Sequence, residues 1–276
     1  MPHGRVLVVR ERGWTGHAYW YSDTMGAETD ETLPHGRQFY DDETVFSTYM
    51  RHRDWSANPN TLMEEPAVLE ALGDIREARV LDLGCGSAET GLILLRSGCQ
   101  SYHGVDSSTR MVERARATLG GTSGTVTLCP IEHFKATPNS FDLVLSRLAL
   151  HHVEHIDSVL ESSHQWLADV GRLVFTVPHP VITSHDAREA TIVQRTHWVV
   201  DNYFEAGARP QQWMGGKVIW FHRTIEEYVR ALQVAGFRLS HLGECTPRPE
   251  YFPNDQTEYR RRRRIPLFLL LAGTKA

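Results

Sequence analysis

The chain has 276 residues, 41% hydrophobic and 23% charged, with a formal net charge of -5. That balance excludes an intrinsically disordered chain, the length is ample to bury a core, and the net negative charge disfavours DNA or RNA as a partner. No run approaches the ~20 apolar residues that span a bilayer; the best, 265–273 (IPLFLLLAG), contains Pro266, and Val6–Val9 is too short for the apolar region of a signal peptide.

Residues 1–38 are rich in Gly, Thr, Asp, His and aromatics without a helical period, and read as an N-terminal extension. Helical pieces follow over 39–78, where Pro66 suits a first turn and Ala67, Val68, Leu69, Ala71 and Leu72 give an apolar face. From 79 the pattern is regular. Strands are predicted at 79–83, 101–106, 125–129, 141–146 and 172–177, with helices at 88–97, 109–119 and 156–168. Gly98, Gly120 and Gly121 stop the first two helices. Short buried strands alternating with helices mean an α/β, doubly wound parallel sheet. The period is lost over 178–222, and so long an irregular segment inside a compact domain marks a functional insertion, here a cap. Thr224 and Glu227 then form a capping box that opens a helix to 235. Strands at 237–242 and 266–273 complete a set of seven, with five arginines, Arg260–Arg264, between them. Cys85, Cys99, Cys129 and Cys245 show no CxxC spacing. Neither a zinc site nor a disulfide framework is indicated, and a reduced, cytoplasmic protein without a membrane partner is expected.

The chemistry is written at the first strand-to-helix turn, Asp82-Leu83-Gly84-Cys85-Gly86-Ser87-Ala88. Glycines there let a ligand approach the backbone. Asp106 ends the next strand, 20 residues beyond Gly86, where a carboxylate can accept both hydroxyls of a ribose; capping the next helix is its other role. Glu89 stands where a dinucleotide fingerprint needs Gly or Ala, and no P-loop lysine is present. Asp82 and Glu89 would repel a pyrophosphate. A nucleoside with an ammonium group and no phosphate fits better, as in S-adenosylmethionine.

This turn, Asp106, and FDLVLS followed by Leu148-Ala149-Leu150-His151-His152 resemble the class I S-adenosylmethionine-dependent methyltransferases. The likeness is greatest to the bacterial small-molecule, ubiquinone-methyltransferase-like (methyltransferase type 11) branch. It covers roughly 39–276 and includes FYDDETVFSTYMRHR at 39–53, VPHP at 177–180 and FHRT at 221–224. Ala88 replaces a frequent third glycine. The resemblance implies a Rossmann-like fold of seven strands, mostly parallel with the last antiparallel, and S-adenosylmethionine as cofactor. It implies that Asp82, Gly84, Cys85 and Gly86 hold the amino acid end and that Asp106, with Ser107, holds the ribose. Met111, Pro130, Ile131 and Glu132 would surround the adenine, although Met111 equally suits core packing. Ser146 would lie at the end of the fourth strand near the cofactor's carboxyl and amino groups. Tyr49 and Arg53 would come from an N-terminal lid, with Arg53 on the cofactor carboxylate.

Methyl transfer is an in-line displacement that alignment and a dry pocket promote, and a base is needed only where the acceptor still holds its proton. His151, after the fourth strand, and His179, after the fifth, are the candidate bases by position. A structural bond to a backbone carbonyl is the alternative for both. His151 and His155 lack further ligands, so no metal is expected. Trp198, Tyr203, Phe204, Trp213, Trp220 and Phe221 of the insertion, with His222, would form the substrate wall, Tyr203, Trp213 and His222 being the substrate candidates. Trp14, Tyr19, Trp20 and Tyr21 could add to it. Such a wall suits a small planar or apolar acceptor. Arg260–Arg264 is expected at a solvated edge or a chain contact, with an acidic substrate group as the alternative. Methyl transfer to O, N or C of a small metabolite, of secondary metabolism, is the expected activity. A cyclisation or elimination guided by the sulfonium, a non-catalytic binding module and a nucleic-acid methyltransferase are alternatives, and a homodimer is left open.

Overall fold

A computed structural model describes residues 36–55, 58–184 and 198–275. Trp14, Tyr19, Trp20 and Tyr21 lie outside the described residues. Helix α1 (Gly36–Asp41) crosses the position at which the extension was expected to end. In α2 (Glu43–Arg53), Asp42 Oδ1 caps the start by accepting Val45 N–H at 2.9 Å. A π-helical turn, Asn60–Glu64, leads into α3 (Glu65–Leu72), where Pro66 occupies the first turn and Val68 and Leu72 are buried.

Next come β1 (Arg79–Leu83), α4 (Glu89–Arg96), β2 (Ser101–Asp106), α5 (Thr109–Thr118) and β3 (Thr125–Leu128), then β4 (Phe141–Arg147), α6 (Ile156–Trp166) and β5 (Leu167–Pro178). The cap region contains α7 (Pro180–Thr183) and a hairpin, β6 (Gly207–Trp213) and β7 (Gly216–His222). It is followed by α8 (Ile225–Val234), β8 (Phe237–Gly243), α9 (Gln256–Arg262) and β9 (Phe268–Lys275). The seven-stranded sheet has the order β3-β2-β1-β4-β5-β9-β8. β1 to β5 pair in parallel, and β9 runs antiparallel to both β5 and β8.

Alternate residues of each strand face opposite layers. Leu81, Leu83, Val144 and Phe175 pack with Val159 and Leu160 of α6 and Tyr228 and Leu232 of α8. Val80, Leu143, Leu145 and Val174 pack with Val68 and Leu72 of α3, Leu94 of α4 and Ala115 of α5. Helices therefore cover both faces. The strand order reverses at β1 and β4, and in such sheets the cleft lies at the carboxyl ends of those strands.

Two expectations change. The helix predicted to run to 168 stops at Trp166, because Leu167 pairs with Phe141. The register then shifts until Arg172 meets Leu143, with Val170 exposed at φ 58°. The irregular insertion holds a two-stranded ribbon. Met214 and Gly215 both have positive φ, 47° and 85°, as a tight type I′ connection requires. Pro210 is tolerated because each strand of a two-stranded ribbon has a free edge. Val218 and Trp220 of β7 pack on Phe39 and Val45, which seats the ribbon on α1 and α2. Among the described residues, no helix is long and apolar enough to cross a membrane.

Candidate active site

The turn after β1 is built from left-handed backbone: Gly84 at φ 76°, Gly86 at 53° and Ala88 at 58°. Gly84 and Cys85 donate their N–H groups to Val105 O at 2.7 and 3.0 Å. A Cβ on Gly84 would collide with that of Ala149, whereas one on Gly86 meets nothing within 4 Å among the described residues. Gly86 is thus the open side of the turn. Asp106 Oδ2 accepts Gly86 N–H and its Oδ1 accepts Ser108 N–H, each at 2.9 Å. The cap of α5 is Ser108, whose hydroxyl accepts Met111 N–H at 3.2 Å. Asp106 therefore clamps two turns together, and burial pushes its carboxyl up.

Asp82 is buried at the end of β1. Tyr102 donates its hydroxyl to Oδ2 at 2.7 Å, while Oδ1 has no protein partner among the described residues. Burial raises its carboxyl to about 6, against the lowering effect of the Tyr102 bond. A buried acceptor without a partner calls for a donor from a ligand.

These groups line a cavity of about 510 Å³. Of the predicted residues it gathers Asp82, Gly84, Cys85, Gly86, Asp106 and Ser107 from the strand ends. Tyr49 and Arg53 reach it from α2, Met111 and Ile131 from beside the turn, and His151 and Trp213 from the opposite elements. Arg53 pairs with Glu89 at 3.1 Å.

The other six predicted residues do not line it. Pro130 and Glu132 flank Ile131 in a short 3-10 turn, from which only Ile131 reaches the cavity. Ser146 is fully buried and donates to Leu83 O at 2.7 Å, tying β4 to β1. His179 Nδ1 accepts Val181 N–H at 3.2 Å and Nε2 meets Glu244 Oε1 at 3.1 Å, so both ring nitrogens are engaged in starting α7. His222 lies between Thr183 Oγ1 at 2.6 Å and the backbone carbonyl of Tyr203 at 2.8 Å, which fixes the base of the cap.

His151 is different. It is 3% exposed, its Nδ1 has no partner among the described residues, and its ring lies edge-on to Trp220 with centroids 4.8 Å apart. Burial, then His152 and Arg223, hold its pKa well below the usual histidine value, so it is neutral near pH 7. Trp213 meets Trp220 at 5.7 Å, and Tyr40 meets Tyr49 at 5.4 Å. Aromatic surface therefore lines this cavity.

Sequence reasoning missed a buried pair. Glu64, fully buried, accepts from Arg147 Nε at 3.1 Å and from its Nη2, and from Thr176 Oγ1 at 2.6 Å. Arg147 also meets Glu65 at 3.2 Å. The π-helical turn that delivers Glu64 had no sequence signal beyond the helical pattern around Pro66. Arg261 and Arg262, expected at a solvated edge or a chain contact with an acidic substrate group as the alternative, also line the cavity.

Residues 81–175 match the family model described as a methyltransferase domain. An S-adenosylmethionine-dependent methyltransferase from Mesorhizobium loti is 31% identical, with a TM-score of 0.70, covering 76% of this chain and 96% of that one. A protein of Listeria monocytogenes assigned as an S-adenosylmethionine-dependent methyltransferase is 30% identical, also with a TM-score of 0.70, covering 77% and 96%. An uncharacterized protein of Haemophilus influenzae is 30% identical over 215 residues, 74% of this chain and 85% of that one.

Proposed function

The chain belongs to the S-adenosylmethionine-dependent methyltransferases, and from that premise we propose that it methylates an O, N or C atom of a small aromatic or apolar metabolite. Bound in the cavity, S-adenosylmethionine supplies an electrophilic methyl group on a sulfonium. The residues fit it. Asp82 Oδ1, without a partner among the described residues, would take the α-ammonium, as a carboxylate held in a buried site should. Gly86 leaves room for the ligand against the turn. Asp106 accepts one N–H at each oxygen and would offer the remaining lone pairs to the ribose hydroxyls, and Met111 and Ile131, which line the cavity, would flank the adenine. Arg53 stands ready for the carboxylate beside Glu89.

His151 holds the acceptor's proton transfer. Its uncharged ring would take that proton on Nδ1 in the tautomer whose N–H is on Nε2, leaving an imidazolium, and a base within hydrogen-bond reach of the acceptor is effective. The aromatic walls exclude water and align a flat acceptor. The observation that carries this reading is the presence in one cavity of the acid-flanked glycine turn and the Trp213–Trp220–His151 wall. The test is incubation with S-adenosylmethionine and a panel of small phenols, aromatic amines and enolisable ketones. S-adenosylhomocysteine should form in step with a product 14 mass units heavier; cofactor loss without that mass gain would defeat the reading.

A further inference from the structure

Four arginines line the cavity, and their charges are not equally matched. Arg53 has Glu89, and Arg147 has Glu64 and Glu65. Arg261 and Arg262, at the end of α9, share one carboxylate. Arg261 Nη1 reaches both oxygens of Glu258, at 3.2 and 3.1 Å, and Arg262 Nε lies 2.6 Å from Oε1. Arg262 is no loose surface group, since its side chain is only 11% exposed. Burial pushes its pKa down, with Arg261 adding to the effect against Glu258. A guanidinium taken out of water with half a counter-charge is short of an anion.

The same arginine shares the cavity with a row of rings. It is near enough to His52 to help hold that imidazole below its usual pKa, after burial and Arg53. His52 lies edge-on to Trp213 at 5.9 Å, Trp213 meets Trp220 at 5.7 Å, and Trp220 meets His151 at 4.8 Å. Arg262, the two indoles and both histidines thus line one cavity, with the rings in contact from His52 to His151.

We propose that the acceptor is a small aromatic or apolar acid, with its anionic group seated on Arg262 and Arg261, its body against Trp213 and Trp220, and its reacting atom at His151. This rests on the reading of the cavity as the acceptor site. The planar guanidinium fork matches a carboxylate or a phosphate ester equally, and the aromatic row fixes how far the anion stands from the methylated atom.

The test needs no knowledge of the natural acceptor. Phenylacetate, its neutral counterpart phenylacetamide, and benzyl phosphate are titrated into the full chain saturated with S-adenosylhomocysteine, at low and high salt. The anions should bind at least fivefold more tightly than the amide, and salt should erode the difference. The preference should fall to within twofold in Arg262→Gln, while affinity for S-adenosylhomocysteine stays within twofold. Tighter binding of phenylacetate or of benzyl phosphate identifies the anion as carboxylate or phosphate, and either supports the proposal. Equal binding of acid and amide to the unmodified protein overturns it, as does no binding of any probe. An unchanged preference in Arg262→Gln overturns it too, and so does an equal loss of S-adenosylhomocysteine affinity, which would assign the arginine to the cofactor. Failure of the unmodified protein to bind S-adenosylhomocysteine would instead strike the reading beneath it. The salt and amide comparisons stand even if the variant does not fold.

Discussion

Arg147 and Glu64, 83 residues apart in sequence, meet as a two-nitrogen fork on a carboxylate that solvent does not reach. Removing one partner leaves the other buried and uncompensated. Arg147→Met should therefore cost about 3–5 kcal/mol in denaturant titrations. The double variant with Glu64→Gln should recover part of that loss, because the stranded charge goes with it. A double variant no better than the single one would show that the fork acts by shape alone.

Asp82 gives a pH signature of opposite sense to that of a paired carboxylate. Its folded value, about 6, lies above the ordinary 3.8. Its contribution to stability is present below pH 3.8 and is lost as pH rises through 6. Ligand binding runs the other way, since the ammonium needs the ionised form. Calorimetry should show S-adenosylhomocysteine binding more tightly as pH rises from 5 to 7. Asp82→Asn should flatten that dependence and cost roughly 10- to 100-fold in affinity.

The two glycines of the turn should fail in different ways. Gly84→Ala brings a methyl onto Ala149 and should lower the melting temperature strongly. Gly86→Ala meets no atom of the described residues within 4 Å, so its cost to folding should be about 1 kcal/mol, from the positive φ. Its effect should appear as lost S-adenosylhomocysteine binding. A Gly86→Ala variant with unchanged affinity would place the ligand elsewhere.

Asp106→Ala should weaken S-adenosylhomocysteine binding by about 1–3 kcal/mol in calorimetry, through lost charge-assisted bonds and the release of Gly86 N–H. Retained affinity would remove Asp106 from the ribose.

His151→Gln should lower methyl transfer by roughly 10²- to 10⁴-fold with little change in cofactor affinity. It should also change the response to acid. The folded value lies below the ordinary 6.5, so the stabilising contribution is present above pH 6.5 and is lost as pH falls. Melting curves at pH 7 and pH 5 should show a smaller drop for the variant than for the unmodified protein.

What could be read from sequence was local. Gly84 and Gly86 announce a left-handed turn because few other residues tolerate one, and Asp106 announces itself by ending the next strand. The helix opened by Thr224 and Glu227 carries its own capping box and is found there. What could not be read was long-range. Nothing near Glu64 says that its partner lies beyond Ser146. His179 and His222 have the right type and sit at strand ends, but only the folded chain shows Val181, Glu244, Thr183 and the Tyr203 carbonyl taking up their nitrogens. The β6–β7 ribbon escaped because Pro210, Gln211 and Gln212 blur the alternation, and the left-handed turn at Met214 and Gly215 shows only in the folded chain.

The antiparallel placement of β9 has a consequence for synthesis. As the polypeptide leaves the ribosome, β8 emerges before the strand that must lie between it and β5. Until residues 268–275 follow, both flanking edges keep unanswered amides, and the apolar face of α8 has only part of its support. A nascent chain stalled before that point should therefore be a substrate for chaperones rather than a nearly finished enzyme.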